Sequence, residues 1–260
     1  MRFLKRLWGG RPSTVSDEIA PHLAARPDAG RRLYAVGDIH GRLDLLDKLH
    51  AMIIEDMAAA PRMRAALIYL GDYVDRGPQS RQVLDRLIDD PLPGFDLIHL
   101  CGNHDDFLMK FFEDPSVGTL WMQHGGIETL ASYGVTLEKD GEADLVALRD
   151  QLLKRLPETH RDFLRRLRYS YQEDGYFFAH AGVKPKVALE AQSPYDLMWI
   201  REEFLESRAD FGKVVVHGHT PVAAPENLPN RIGVDTGACW TGHLTAVVLD
   251  GGSRRFLATG

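Results

Sequence analysis

Cysteine is almost missing from this chain. Two occur in 260 residues, Cys101 and Cys239, too few and too far apart for a disulfide framework or a CxxC pair. Such scarcity fits a reducing compartment, so a cytoplasmic location is expected. A basic excess is also missing: 31 Lys and Arg stand against 37 Asp and Glu, a formal charge of -6. Nucleic-acid binders concentrate cationic side chains, so no nucleic-acid partner is expected. No apolar run reaches the roughly 18 residues that suggest a membrane span, and no low-complexity tract breaks the chain. Met1 to Gly10 is basic and amphipathic but lacks the apolar core of a signal peptide, and Pro12 to Arg32 is rich in Pro, Ala and charge. Residues 1–30 therefore read as a flexible extension, and 31–260 as one domain large enough to bury a substantial core.

What is present is a repeated strand, polar turn and helix. Leu33 to Val36 reads as a strand, Gly37-Asp38-Ile39-His40-Gly41 as a tight turn, and Leu43, Leu46, Leu49 and Ile53 as one face of a helix. The unit recurs with a strand over 66–70, the loop Gly71-Asp72-Tyr73-Val74-Asp75-Arg76-Gly77 and a helix over Ser80 to Asp89. A third copy has a strand over Phe95 to Leu100, the turn Gly102-Asn103-His104-Asp105 and a helix around Phe107 to Phe112. Such units imply parallel strands whose carboxyl ends share one sheet edge. Asp38, Asp72 and Asn103 then become neighbours, although more than thirty residues separate each from the next.

From about 114 to 168 the pattern changes to helices, at Ile127 to Tyr133, Glu142 to Leu156 and Glu158 to Leu167, interrupted near Trp121 and Gly125-Gly126. This is read as a helical insertion beside the sheet. A hairpin follows, Tyr169 to Gln172 and Tyr176 to Ala179 around Glu173-Asp174-Gly175, running into His180-Ala181-Gly182. A helix is expected near Pro194 to Ser207, a strand at Val214 to Val216 leading to His217-Gly218-His219-Thr220, and antiparallel strands at 231–235, 244–249 and 255–257.

Taken alone, the heptad Gly71 to Gly77 reads equally well as a polar turn with a surface ion pair or as a place for a dication and an anion. Other turns shift the balance. Asp38 and His40, two apart, face the same way if the chain leaves its strand extended. His180 and His219 each end an apolar strand beside glycine. Carboxylate, amide and imidazole together suit manganese, iron or zinc better than calcium, which prefers oxygen alone.

In order, Gly37 to Gly41, Gly71 to Gly77, Gly102 to Asp105, His180 to Gly182 and Gly218 to Thr220 resemble the signature blocks of the phosphoprotein phosphatases, a family of binuclear metallophosphoesterases. The match spans roughly residues 32 to 249, and Val234 to Ala238 is similar to a further block of the bacterial and phage members. The resemblance implies an α/β fold, a calcineurin-like sandwich of central β-sheets flanked by helices (α/β/β/α). It implies two divalent ions, manganese first with iron or zinc as alternatives. Asp38 and His40 hold one, Asp72 bridges both, and Asn103, His180 and His219 hold the other. Choosing His219 over His217 rests on the family's Gly-His-Thr order, because spacing cannot separate them.

By the same resemblance His104 is the general acid, Asp75 its carboxylate partner, and Arg76 and Arg201 clamp phosphate together with His104. The expected reaction is hydrolysis of phosphomonoesters, on phosphoserine and phosphothreonine of a protein or peptide, by in-line attack of a hydroxide bridging the two ions. Asp105 departs from the family's usual Glu, and the ending Asn-His-Asp is similar to symmetrical diadenosine tetraphosphatases, which form the alternative. A non-catalytic module that binds a phosphorylated partner is the third reading.

Overall fold

The computed structural model describes residues 27, 30–60, 63–137 and 144–260. The basic N-terminal stretch and the expected extension up to residue 26 lie outside them, as do the first two residues of the helix expected from Glu142. Within the described residues β1 (Arg31–Val36), α1 (Leu43–Ala58), β2 (Arg64–Tyr69), α2 (Ser80–Asp89), β3 (Phe95–His99) and α3 (Asn103–Glu113) follow one another as three β-turn-α units. The strands pair in parallel, β1 with β2 and β2 with β3. Parallel neighbours need crossover connections, and the helices supply them.

Alternation along β1 explains the layering. Leu33 and Ala35 face one side of the sheet, Tyr34 and Val36 the other, and all four are fully buried. The Tyr34 side packs under α1 and α2, on Leu46, Leu49, Val83 and Leu84. The Leu33 side meets a second sheet through Phe178, Val214, Val216 and Ile232. That sheet is built from β4 (Ser170–Glu173), β5 (Tyr176–Ala179), β6 (Val214–His217), β7 (Glu226–Asn227) and β8 (Arg231–Gly233), in the order β4-β5-β6-β8-β7. The first sheet is completed by β9 (Thr245–Asp250) and β10 (Ser253–Ala258), giving β10-β9-β1-β2-β3. On the outer face of the second sheet Phe177 and Val215 pack on Leu197 and Phe204. The result is the α/β/β/α sandwich that the resemblance implies.

Three details differ from the sequence reading. The terminal strands are only partly antiparallel: β9 runs antiparallel to β1 and β10, whereas β8 lies parallel to β6. The helix expected from Pro194 to Ser207 is two pieces, α8 (Pro194–Trp199) and α9 (Glu202–Leu205), because Ile200 and Arg201 leave helical geometry. And α3 begins at Asn103, four residues early, because Asp105 at its third position accepts the Gly102 N–H at 2.9 Å. Asn103 and His104 thus stand in the first turn of a helix.

Between α3 and β4, α4 (Gly118–Trp121) and a π turn (Met122–Gly126) are helical where a break was expected, and the expected helices follow as α5 (Ile127–Ser132), α6 (Leu145–Arg155) and α7 (Glu158–Arg165). A last short helix, α10 (Ala238–Thr241), joins β8 to β9. No described helix is long and apolar enough to cross a membrane.

Candidate metal centre

The turns after β1, β2, β5 and β6, with the start of α3, converge at one end of the two sheets. The backbone there is unusual: His40, Asp72, Asp75, Arg76 and His219 all have positive φ, between 45° and 72°. Non-glycine residues adopt this region at a cost, which tertiary contacts must offset, and such residues cluster at functional sites. His40 therefore turns away from the extended path considered for Asp38 and His40, and its N–H donates to the Asp72 carbonyl at 2.8 Å. His219 likewise lies past the end of β6. Gly102 and Gly218 permit the close packing: a Cβ on the first would collide with the Asp72 carboxylate, and on the second with that of Asp38.

Asp72 stands at the centre. Its Oδ1 accepts the His104 N–H at 3.0 Å. Its Oδ2 lies 3.4 Å from His40 Nε2 and 3.5 Å from His180 Nε2, so one oxygen is shared between two groups of ligating atoms. On one side are His180 Nε2, Asn103 Oδ1 and His219 Nδ1, separated by 2.8 to 3.2 Å. On the other, His40, Asp72 and His104 bring their ligating atoms together. Asp38 contributes no oxygen to either group. Its carboxylate accepts the His219 N–H, at 3.1 and 3.2 Å, beside Asp235.

The chemistry of these groups fits cations. His180 Nδ1 donates to the Leu70 carbonyl at 3.0 Å and His40 Nδ1 to the Val74 carbonyl at 2.8 Å, which leaves both Nε2 atoms as lone pairs facing Asp72. On the first side, the His180 Nε2 lone pair, the Asn103 amide oxygen and His219 Nδ1 lie within 3.2 Å of one another, and a cation there would be held by all three once His219 turns a lone pair to it. Burial, with the nearby His104 and Arg76 charges, lowers His40 to about 3, and burial, with His180 and Arg201, lowers His219 to about 2. Burial also lowers His180. Neutral imidazoles are the ligating form.

The other expected residues lie around these groups. Asp75, fully buried, accepts from His104 Nδ1 at 2.8 Å, so the His104 Nε2 points into the site. Arg76 donates to His40 Nε2 at 2.6 Å and to His104 Nε2 at 2.9 Å. Arg201 is exposed between α8 and α9, and the ion pairs open to it with neighbouring glutamates do not form. Its charge is near enough to help lower His180 and His219. His217 belongs to neither group and packs edge-on against Phe204, with ring centroids 5.0 Å apart.

Residues 31–244 match the family described as calcineurin-like phosphoesterase. The chain belongs to that family. Over 231 residues this phosphoesterase is 29% identical to the asymmetrical bis(5'-nucleosyl)-tetraphosphatase PrpE of Anoxybacillus flavithermus, with 82% of this chain and 88% of the relative covered. Over 220 residues it is 28% identical to serine/threonine-protein phosphatase 1 of Salmonella typhimurium, covering 83% and 90%. Among solved structures, a cold-active protein-tyrosine phosphatase of a psychrophilic Shewanella is similar in fold, with a TM-score of 0.51 at 15% identity over 92% of this chain and 84% of that one.

Several residues that hold the phosphoesterase site show how they do so only in three dimensions. Asp105 accepts the backbone N–H groups of Asp72 at 2.8 Å and Tyr73 at 3.0 Å, besides that of Gly102, so the shorter acid clamps the Asp72 loop directly. Trp121 Nε1 donates to Asp75 at 2.9 Å and Thr129 Oγ1 at 2.7 Å, both from the helical segment. The Gly125-Gly126 pair that interrupts the helical pattern has a reason. Gly125, at φ 106°, accepts the Arg76 N–H at 3.0 Å, and a side chain at Gly126 would strike Trp121. Asp235, from the block at Val234 to Ala238, is raised to about 6 by burial and by the Asp72 charge.

Proposed function

We propose that this phosphoesterase hydrolyses phosphoserine and phosphothreonine, and that the ten residues named from sequence carry out the reaction. The observation behind the choice is the His104 to Asp75 pair, 2.8 Å apart and buried beside Asp72. A serine or threonine alkoxide leaves only with a proton, and a fixed imidazole is suited to deliver it. His40 and Asp72 would hold one ion with Asp38 brought toward it, and Asp72, Asn103, His180 and His219 the other, manganese being the first choice. Two dications there would draw charge from the phosphoryl oxygens and make water nucleophilic at neutral pH.

The protein's own groups then divide the work. Arg76 is a planar fork with two N–H groups aimed across the site, and a phosphate would draw them off the imidazoles. That frees His104 Nε2 to carry the proton that the leaving oxygen takes. Asp75 keeps the Nδ1 proton in place and fixes the orientation of the ring. Arg201, exposed and without an ion-pair partner among the described residues, supplies the second cationic arm.

Exchanging His104 for Asn tests the reading. A general acid contributes about a hundredfold to ten-thousandfold. Turnover of a phosphoserine peptide with manganese present should fall by that order, and turnover of p-nitrophenyl phosphate, whose leaving group needs little help, by far less. Equal losses would remove His104 from proton delivery. Turnover that needs no added manganese and survives a chelator would defeat the metal assignment itself.

A second reading has its own support. The relative with 29% identity is named an asymmetrical bis(5'-nucleosyl)-tetraphosphatase, where the Asn-His-Asp ending pointed to the symmetrical kind. Assaying diadenosine tetraphosphate beside the phosphoserine peptide separates the two, and a large preference for the dinucleotide favours this second reading.

A further inference from the structure

Trp240 leaves most of its indole in water. It is 64% exposed, although α10, which carries it, is tightly held. The Trp240 backbone N–H donates to the Gly237 carbonyl at 2.9 Å, and the Thr241 hydroxyl donates to the carbonyls of Thr236 at 2.8 Å and Gly237 at 3.0 Å. Arg42 reaches across to the Ala238 carbonyl at 2.9 Å, and Asp235 accepts the Gly237 N–H at 2.9 Å. A large apolar ring on so well-anchored a turn is not the product of a frayed loop. Its neighbour explains its position: the Arg76 guanidinium lies 4.8 Å from the ring centroid, within cation–π range. The same guanidinium touches His40 and His104.

We propose that the open face of Trp240 is a stacking platform for a nucleobase carried by the substrate's phosphate. The inference rests on the second reading of the site, hydrolysis of a phosphate ester that carries a nucleoside, with Arg76 holding the phosphate. One face of the indole is taken by the guanidinium, so the ligand ring must lie on the other. A ring bonded directly to the ester oxygen, as in phosphotyrosine, stays on the guanidinium side. A base set one sugar further from the phosphorus can pass the guanidinium and reach the outer face. The two-ring indole matches a purine in area, and every base offers a π face to an aromatic platform.

Adenosine 5'-monophosphate and ribose 5-phosphate differ only in the base, so the ratio of their kcat/KM values isolates stacking. Trp240→Ala should lower that ratio by about fivefold or more, as loss of one base–aromatic stack implies, and Trp240→Phe should keep most of it. If Ala lowers both values in proportion, Trp240 acts only through Arg76 and the platform is rejected. An unchanged ratio rejects it too. Phosphotyrosine against phosphoserine provides the second arm: dependence on Trp240 there, without dependence on adenine, overturns the choice of a base.

Saturation-transfer NMR with adenosine, which carries no phosphate, reads the platform without turnover. The signal should appear with the parent and Trp240→Phe and be lost with Trp240→Ala, and equal signals overturn the proposal. A parent that binds adenosine but hydrolyses no phosphate ester would instead sink the hydrolase reading.

Discussion

Asp105 shows how much one methylene decides at the residue scale. It touches no ligating atom, yet its two oxygens take the N–H groups of Gly102, Asp72 and Tyr73, and it is fully buried. Burial and the Asp72 charge raise its pKa, and the three backbone donors oppose that rise. An Asn in its place turns an NH2 group toward those donors, leaving at least one buried N–H unpaired, at about 1–3 kcal/mol. The Asp72 loop, already at positive φ, would then shift its shared oxygen. Residues that orient metal ligands typically contribute about 10- to 100-fold to affinity. Asp105→Asn should therefore weaken manganese binding by that order in calorimetric titration. Unchanged affinity would mean that the clamp does not set the Asp72 geometry.

The elements of the first half were legible because each is local. The apolar face of α1, the run in β2 and the Gly-bounded turns are all contained in a few consecutive residues, and Ser80 to Asp89 became α2 with the bounds expected. The residues of the two groups of ligating atoms stand in short signature blocks, but the parts that fix them were not legible. Trp121 and Thr129 hold Asp75 from 46 and 54 residues away, and no period or spacing connects them. The break at Gly125-Gly126 was visible as an interruption, but its cause, the approach of Arg76 and Trp121, exists only in three dimensions. Arg201 became a helix boundary because local propensity does not reveal where packing of the second sheet ends a helix.

Two-way dependence of site and segment follows from these contacts. Trp121→Phe keeps most of the buried ring but removes the donor to Asp75, so the carboxylate holds His104 less firmly. Turnover of the phosphoserine peptide should fall roughly tenfold, about 1.4 kcal/mol in the barrier, with a much smaller fall for p-nitrophenyl phosphate. A variant that loses both activities equally, or neither, would show that the helical segment does not act through the proton-delivery pair.

Across the whole molecule, buried imidazoles set how stability responds to acid. His50 and His99 both contact Tyr69 and belong to neither group of ligating atoms: the Tyr69 hydroxyl is 2.8 Å from His50 Nε2, and the His99 ring stacks on Tyr69 at 5.0 Å. Burial lowers each to about 4, aided at His50 by Arg86. In the unfolded chain they return to about 6.5. Between these values the unfolded state binds protons that the folded state refuses. Stability is fully present above about pH 6.5 and is lost as pH falls, each group adding a slope of up to about 1.4 kcal/mol per pH unit. Asp38, raised by burial and by the Asp235 and Asp72 charges, and Asp235, raised to about 6 by burial and by the Asp72 charge, act in the opposite sense as pH falls. The net slope alone is therefore ambiguous, and a difference measurement is needed. His99→Phe preserves the stack on Tyr69 and removes one proton site whose Nε2 has no partner. Its midpoint of thermal unfolding, followed in chelator from pH 7 to 4, should move upward relative to the parent as pH falls. For a domain of this size about 1 kcal/mol corresponds to 2–4 °C, so the gap should widen by several degrees per pH unit below about 6.5. Parallel curves would mean that His99 takes up its proton as readily in the folded state as in the unfolded one.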